Sequence, residues 1–359
     1  MTEQNQSERG QTGSPFGLQD IEQLRLMLEG HSVVDWRRLA LRDLAHVDQL
    51  LDRQGLDISQ PVDVARLNRI HEQAVDYVLA NFERRLADEI SHPHDVRELF
   101  LLASRGGALR SDACMILKVM HIIHHAAGRE LLYQLPMPIR ELFHQVERRV
   151  FDAFDQMKAR GIRVVELAGS RKAEHAIITK LLCRRDSQAA QVHDRQRFRI
   201  VTEELSDVLD VLVYMGKHLI PYNYVVPGES RNDLIDFEAT LDGDHRLRQI
   251  RPLLQTIGAT NQADEAHRIN QFTATDYRDI NFVVDMPLRL EDGHASIAAD
   301  AIAQNGRVVF VLVEFQVVDR ETHVRNNQGA SRHDLYKSRQ RDRALVRLNP
   351  EKLSVSRQD

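Results

Sequence analysis

Val308-Val-Phe-Val-Leu-Val-Glu-Phe-Gln-Val-Val318 is the run that decides the fold. Its β-branched and aromatic residues read as a strand, the strongest in the chain. Alternation puts Val311, Val313, Phe315 and Val317 on one face and Leu312, Glu314 and Gln316 on the other. Glu314 is the informative residue. A carboxylate inside an apolar strand costs free energy unless it is paired, exposed or on a metal. A strand whose polar face meets solvent and a strand that carries a working carboxylate both satisfy this pattern.

Working outward, the segments around this strand alternate in character. Ile162–Ala168, Arg197–Thr202 and Tyr277–Leu290 read as further strands, and Leu219–Val226 as extended. Arg171–Leu182, Glu203–Met215 and the charged stretch Ser331–Leu345 read as helices between and after them. Residues 229–275 are polar and irregular, with a candidate helix at His245–Ile257, and Asp292–Gly306 reads as a loop or partial helix. From Gly17 to about Leu142 the pattern is helical. Asp63–Leu86, Val96–Ala103, Arg110–Leu135 and Arg140–Arg160 carry apolar residues at threes and fours. Gly106-Gly107 precedes the Arg110 helix, and Pro136 and Pro138 end it. The fold class expected is α+β: an N-terminal all-α region followed by a mixed β-sheet flanked by helices.

Hydrophobic residues make up 42% of the 359-residue chain and charged residues 28%, which is enough apolar surface for a sizeable core. The formal net charge of -5 argues against a constitutive nucleic-acid binder. The two cysteines, Cys114 and Cys183, lie far apart inside apolar runs, which suits a reducing compartment rather than a disulfide framework. The N-terminus lacks a basic-then-apolar signal pattern, and no apolar run reaches the roughly 18 residues of a membrane span. A cytoplasmic protein without a membrane segment is expected. Residues 1–16 are polar and read as a disordered tail.

Moving phosphate needs carboxylates to hold Mg²⁺ and cations to neutralise the phosphate charge. Both occur here. Ser170-Arg-Lys-Ala-Glu-His-Ala-Ile-Ile-Thr-Lys180 is a basic helix start, with Lys172 and Lys180 about two turns apart on one side. A solvated basic face explains the same charges. Asp194 stands just before the strand Phe198-Arg-Ile-Val201, where a turn residue is the plainer explanation.

Taken together, the segments resemble the synthetase domain of RelA/SpoT-type alarmone synthetases, whose fold is nucleotidyltransferase-like. Lys172, Ile177 and Lys180 fit that family's R-x-K-x-x-x-S-I-x-x-K block. Asp194, Arg199, Ile200 and Val201 fit D-x-x-G-x-R-I-V. Asn232-Asp233-Leu-Ile235 echoes K-D-Y-I, and Tyr277 echoes G-Y-x-S-x-H. Glu314, Gln316, His323, Gly329, His333, Tyr336 and Lys337 keep the spacing of the last block, E-I-Q-I-R-T followed by G and H-x-x-Y-K. The resemblance covers about residues 141–345. With the helical pattern before it, this divides the chain into a helical domain at 17–140, a synthetase-like domain at 141–348 and a tail at 349–359.

The resemblance implies that Asp194 and Glu314 hold Mg²⁺, with Glu314 also a base for the acceptor hydroxyl. It implies ATP as donor, met by Arg171, Lys172, Lys180 and Arg199. It places Tyr277 on the acceptor nucleotide, with Asn281, Gln316, His333 and Lys337 supporting the acceptor side. The acceptor implied is a GDP- or GTP-like nucleotide or an RNA end, and a homo-oligomer is compatible. The chain departs from the family blocks at Ser170, Ala176, Arg197 (for Gly), Asn281 (for His), and Val318-Asp319 (for Arg-Thr). These departures gather on the acceptor side. A degenerate module that senses nucleotides or alarmones, and an interaction protein that works through its helical half, are the alternatives.

Other features carry less. His121, His124 and His125 share a helix, and the i, i+4 pair could face a metal, although Met120, Ile122 and Ile123 suggest a packed helix. His94-Asp95 lacks the wider spacing of a hydrolase, and none is expected. Arg341, Arg343 and Arg347 read as a solvated helix face.

Overall fold

The computed structural model describes residues 20, 24, 41–136, 138–171, 174–183, 196–235, 277–291, 299–328 and 333–348. The expected tails, the candidate helix at His245–Ile257, Lys172 and Asp194 lie outside the described residues. The elements run α1 (Leu44–Arg53), α2 (Pro61–Asn81), α3 (Asp88–Ser91), α4 (Glu98–Ser104), α5 (Arg110–Gln134), α6 (Ile139–Ala159), β1 (Val164–Arg171), α7 (Glu174–Cys183), β2 (Gln196–Thr202) and α8 (Leu205–His218). Then follow β3 (Arg231–Asn232), β4 (Ile280–Arg289), α9 (Ala299–Asn305), β5 (Val308–Asp319), α10 (Arg320–Asn326) and α11 (His333–Leu348). The α+β order expected from the sequence is present. The stretch expected to be extended near residue 222 instead holds a single 3₁₀ turn, Tyr222–Tyr224.

The five strands form one sheet in the order β1-β2-β5-β4-β3. β2 runs parallel to β5, and the other neighbours are antiparallel. The strand read first, β5, is therefore central and buried almost throughout. Its alternation has the consequence expected. Phe198, Phe315 and Phe282 stand side by side on one face, with ring centroids 5.7 and 5.6 Å apart. That face lies under α6 and α8. Phe151 of α6 meets Phe198 edge-on, and Leu142, Val146, Val150, Ala153 and Met157 form the helix's buried stripe. A capping box of Glu204 and Asp207 starts α8, and Arg163 holds both carboxylates at 2.9 Å.

The other face is divided along the strands. Over its first half lies α5, from the N-terminal helical stretch. Gly128 brings this helix onto the Phe310 ring and the Val308 carbonyl. His125 Nε2 reaches Asp285 Oδ2 on β4 at 2.6 Å, and Arg129 stands 3.5 Å from the other oxygen. His121 packs on Tyr224 and accepts from Asn223 Nδ2 at 3.1 Å, while His124 Nε2 sits 3.3 Å from the Gln54 carbonyl. These histidines dock the helix on the sheet. Among the described residues no group of three or more His, Cys, Asp or Glu could hold a metal ion. No helix among them is long and apolar enough to cross a membrane.

Burial, reinforced by the neighbouring histidines, pushes His121 down to about 3. Burial likewise pushes His124 down to about 4. The unfolded chain takes up these protons below about pH 6.5, and the folded chain refuses them until far lower. Stability is therefore whole above that value and falls as pH drops toward 4. Urea unfolding of His124→Gln is expected to show a weaker acid loss than wild type, by about 1–2 kcal/mol between pH 7 and pH 5. An unchanged acid slope would assign the effect elsewhere. Gly128→Ala places a Cβ 2.7 Å from the Val308 carbonyl. It is expected to lower stability by about 1–3 kcal/mol in the same assay.

Candidate functional site

Beyond α5, the same face of the sheet turns polar. The parallel register of β2 and β5 sets Arg197 opposite Glu314 and Arg199 opposite Gln316. On the far side β4 sets Val283 opposite Glu314 and Asn281 opposite Gln316, and β3 adds Arg231 opposite Asn281. Residues opposite one another share a face. The result is a polar row across four strands, built on the apolar phenylalanine row of the reverse side.

Glu314 is 6% exposed and fully engaged. Arg197 Nε and Nη2 both donate to its Oε2 at 2.9 Å, and Asn281 Nδ2 donates to its Oε1 at 2.6 Å. Arg199 sits differently. Its Nε and Nη2 donate to Gln316 Oε1 at 3.3 and 3.1 Å, a neutral acceptor. Among the described residues no carboxylate forms an ion pair with Arg199. His323 of α10 faces the same guanidinium; burial, and then the Arg199 charge, lower its pKa against the pull of Glu166.

At the β3 edge Arg231 holds the buried Asp279 and lies 2.9 Å from Asp233. Burial raises the Asp279 pKa, with Arg231 opposing and the charge of Glu314 adding to it. The second Asp279 oxygen has no hydrogen-bond partner among the described residues. The Arg231 guanidinium lies 5.7 Å from the Tyr277 ring centroid. Burial and the Asp279 charge push the Tyr277 hydroxyl up to about 12.

The residues expected at the site are thus partly gathered. Glu314, Gln316, Arg199, Asn281 and Tyr277 share one region. Lys180 lies in α7 and His333 begins α11, and these two helices pack against each other. Lys337 is exposed on α11. Arg171 goes the other way: strand alternation turns it toward α6, where its Nε lies 3.6 Å from Glu147. Asp319, a departure from the family block, caps α10 by accepting from Thr322 N at 3.0 Å. Asp279, Arg231 and His323 were given no role from sequence. Alternation from Asn281 and Glu314 was the signal that could have found Asp279, two residues before Asn281.

A metal ion fits poorly at Glu314 in this arrangement. Mg²⁺ demands oxygen ligands in near-octahedral geometry. Both Glu314 oxygens already accept N–H donors, and one of them accepts two from the Arg197 guanidinium. A cavity of about 460 Å³, walled in part by Arg148, Arg149, Tyr214 and His218, lies on the α6–α8 side and does not include Glu314.

The chain is similar to small alarmone synthetases. Small alarmone synthetase 2 from Bacillus subtilis shares 15% identity, with 64% of this chain and 97% of that chain covered and a TM-score of 0.29. Small alarmone synthetase 1 from the same organism, bound to its product pppGpp, shares 14%, with 62% and 93% covered and a TM-score of 0.32. A GTP pyrophosphokinase family protein from Streptococcus pneumoniae shares 15%, with 62% and 95% covered and a TM-score of 0.26. No protein-family model and no curated protein matches the sequence. At these TM-scores the overlap is limited, so the residues of this chain carry the functional reading.

Removing one partner of a buried ion pair leaves the other charge stranded. Arg197→Met is expected to cost about 3 kcal/mol of stability by urea unfolding. Adding Glu314→Gln to it is expected to restore much of that loss. If the two single effects simply add, Arg197 and Glu314 are not energetically coupled.

Proposed function

We propose that the chain binds a nucleoside polyphosphate on the polar half-face around Arg199 and Glu314. The carrying observation is Arg199. It is a half-buried guanidinium whose side-chain hydrogen bonds go to a neutral amide, with no carboxylate paired to it among the described residues. A phosphate supplies the missing anion, and Arg binds it as a planar fork. Tyr277, flanked by Arg231, offers a ring for a base.

The reaction to which the matched residues correspond is pyrophosphoryl transfer from ATP to a ribose hydroxyl of a GDP- or GTP-like nucleotide or an RNA end. The hydroxyl oxygen bonds to the β-phosphorus, the bond from that phosphorus to the α-phosphate oxygen breaks, and AMP leaves. A carboxylate takes the hydroxyl proton. Glu314 can serve in that role where the hydroxyl reaches one of its oxygens beside, or in place of, a present donor. Nucleotide binding is therefore the coarser part of the proposal, and transfer the finer.

Both parts are tested with ATP labelled at its terminal phosphate. Arg199→Ala is expected to weaken ATP binding by about tenfold or more, the worth of one charge-assisted contact. ATP binding equal to wild type in that variant would sink the assignment. Label appearing on GDP, GTP or RNA and lost in Glu314→Gln supports transfer. Transfer undiminished in Glu314→Gln removes Glu314 as the base.

A further inference from the structure

We infer that Arg197 is the resident counter-cation of Glu314, and that it makes nucleotide binding at this site independent of a divalent ion. The inference rests on the polyphosphate reading of this face and concerns what neutralises the carboxylate there.

A carboxylate in the central strand of a sheet is not stable alone; it needs a cation or a full set of donors. Glu314 has a cation and at least one donor on each oxygen. The parallel register delivers Arg197 directly across from it, and two N–H groups of one guanidinium converge on Oε2 at 2.9 Å. Asn281 closes Oε1 at 2.6 Å from the opposite strand. A divalent ion at Oε2, which already accepts two N–H groups, would have to displace Arg197, and one at Oε1 would have to share that oxygen with Asn281. It would also sit beside a fixed positive charge, which repels it. The ion and the guanidinium therefore compete for the same carboxylate.

The neighbouring carboxylate obeys the same logic. Asp279, 1% exposed, is held by Arg231. Among the described residues, the two buried acids of this half-face are thus each met by an arginine from the adjacent strand, although the second Asp279 oxygen has no hydrogen-bond partner there. Where the family block has Gly, a residue that cannot supply charge, this chain has Arg197. Substitution of a guanidinium for the ion leaves phosphate charge to be met by Arg199, not by a metal bridging protein and ligand.

The test uses the full-length protein and ATP, with affinity measured in EDTA and in excess Mg²⁺. Thermal unfolding is followed in parallel without nucleotide. Wild type is expected to bind ATP with affinities within about twofold in the two conditions, and to show no Mg²⁺-dependent rise in Tm. Arg197→Gly frees the carboxylate. Its ATP affinity is expected to fall about tenfold in EDTA and recover in Mg²⁺, and its Tm to rise with Mg²⁺. Arg197→Gly combined with Glu314→Gln is expected to lose both responses. A wild-type affinity that drops about tenfold in EDTA overturns the inference, and that measurement needs no variant to fold. A folded Arg197→Gly protein indifferent to Mg²⁺ overturns it equally. Absence of ATP binding in either condition instead overturns the polyphosphate reading, and a wild-type Tm that rises with Mg²⁺ and ceases to do so in Glu314→Gln overturns the counter-cation by itself.

Discussion

The parallel pairing of β2 with β5 is the constraint on which the site depends. It fixes which residue of β2 faces each residue of β5, and a slip of one position would turn every side chain to the opposite face. With the register as it is, Phe198 meets Phe315 on one side and Arg197 meets Glu314 on the other. The phenylalanine row and the charged row are two consequences of one alignment. The apolar side supplies the burial energy that holds the register, through α6 and α8. The polar side exploits that rigidity, since a buried ion pair is tolerable only when its geometry is held firmly.

The same face of the sheet serves two purposes because α5 covers only part of it. Where Gly128 lets the helix close on Phe310, the face is dry and packed with rings. His125 and Arg129 meet Asp285 there, so the one acid at that end of β4 is spoken for by the helix. Two residues back along β4 comes Val283, opposite Glu314, and the polar row begins. The helical stretch therefore defines where the site starts by occupying what lies before it. The histidine run, read from sequence as part of a packed helix, forms this docking surface, with two of its rings kept neutral by burial.

Much of the fold was legible because the strongest signals were periodic. The alternation in β5 and the threes and fours of α5 and α6 each correspond to real elements in the right order. Pro136 and Pro138 marked the end of α5 because proline cannot continue a helix. The site was less legible. Arg171 looked equivalent to its basic neighbours in sequence, yet strand geometry carries it to the α6 side, next to Glu147. A helical reading of Arg171 could not show this, because the residue in fact ends β1. Asp279 and Arg231 are forty-eight positions apart and meet only through β3–β4 pairing, which short β3 barely announces.

Partner choice was the least visible property. Arg197 and Asn281 are separate departures in the linear sequence, one in the block that begins at Asp194 and one in the block that begins at Tyr277. In the sheet they are two hands on one carboxylate, each taking an oxygen of Glu314 from opposite neighbouring strands. A lone Arg at position 197 would leave Oε1 looking for a donor, and a lone Asn at 281 would leave the charge of Glu314 unmet. Together they satisfy it. Two departures that lie in separate blocks of the sequence are coupled through a single buried acid. Changing either residue alone then disturbs a balance that only the pair maintains.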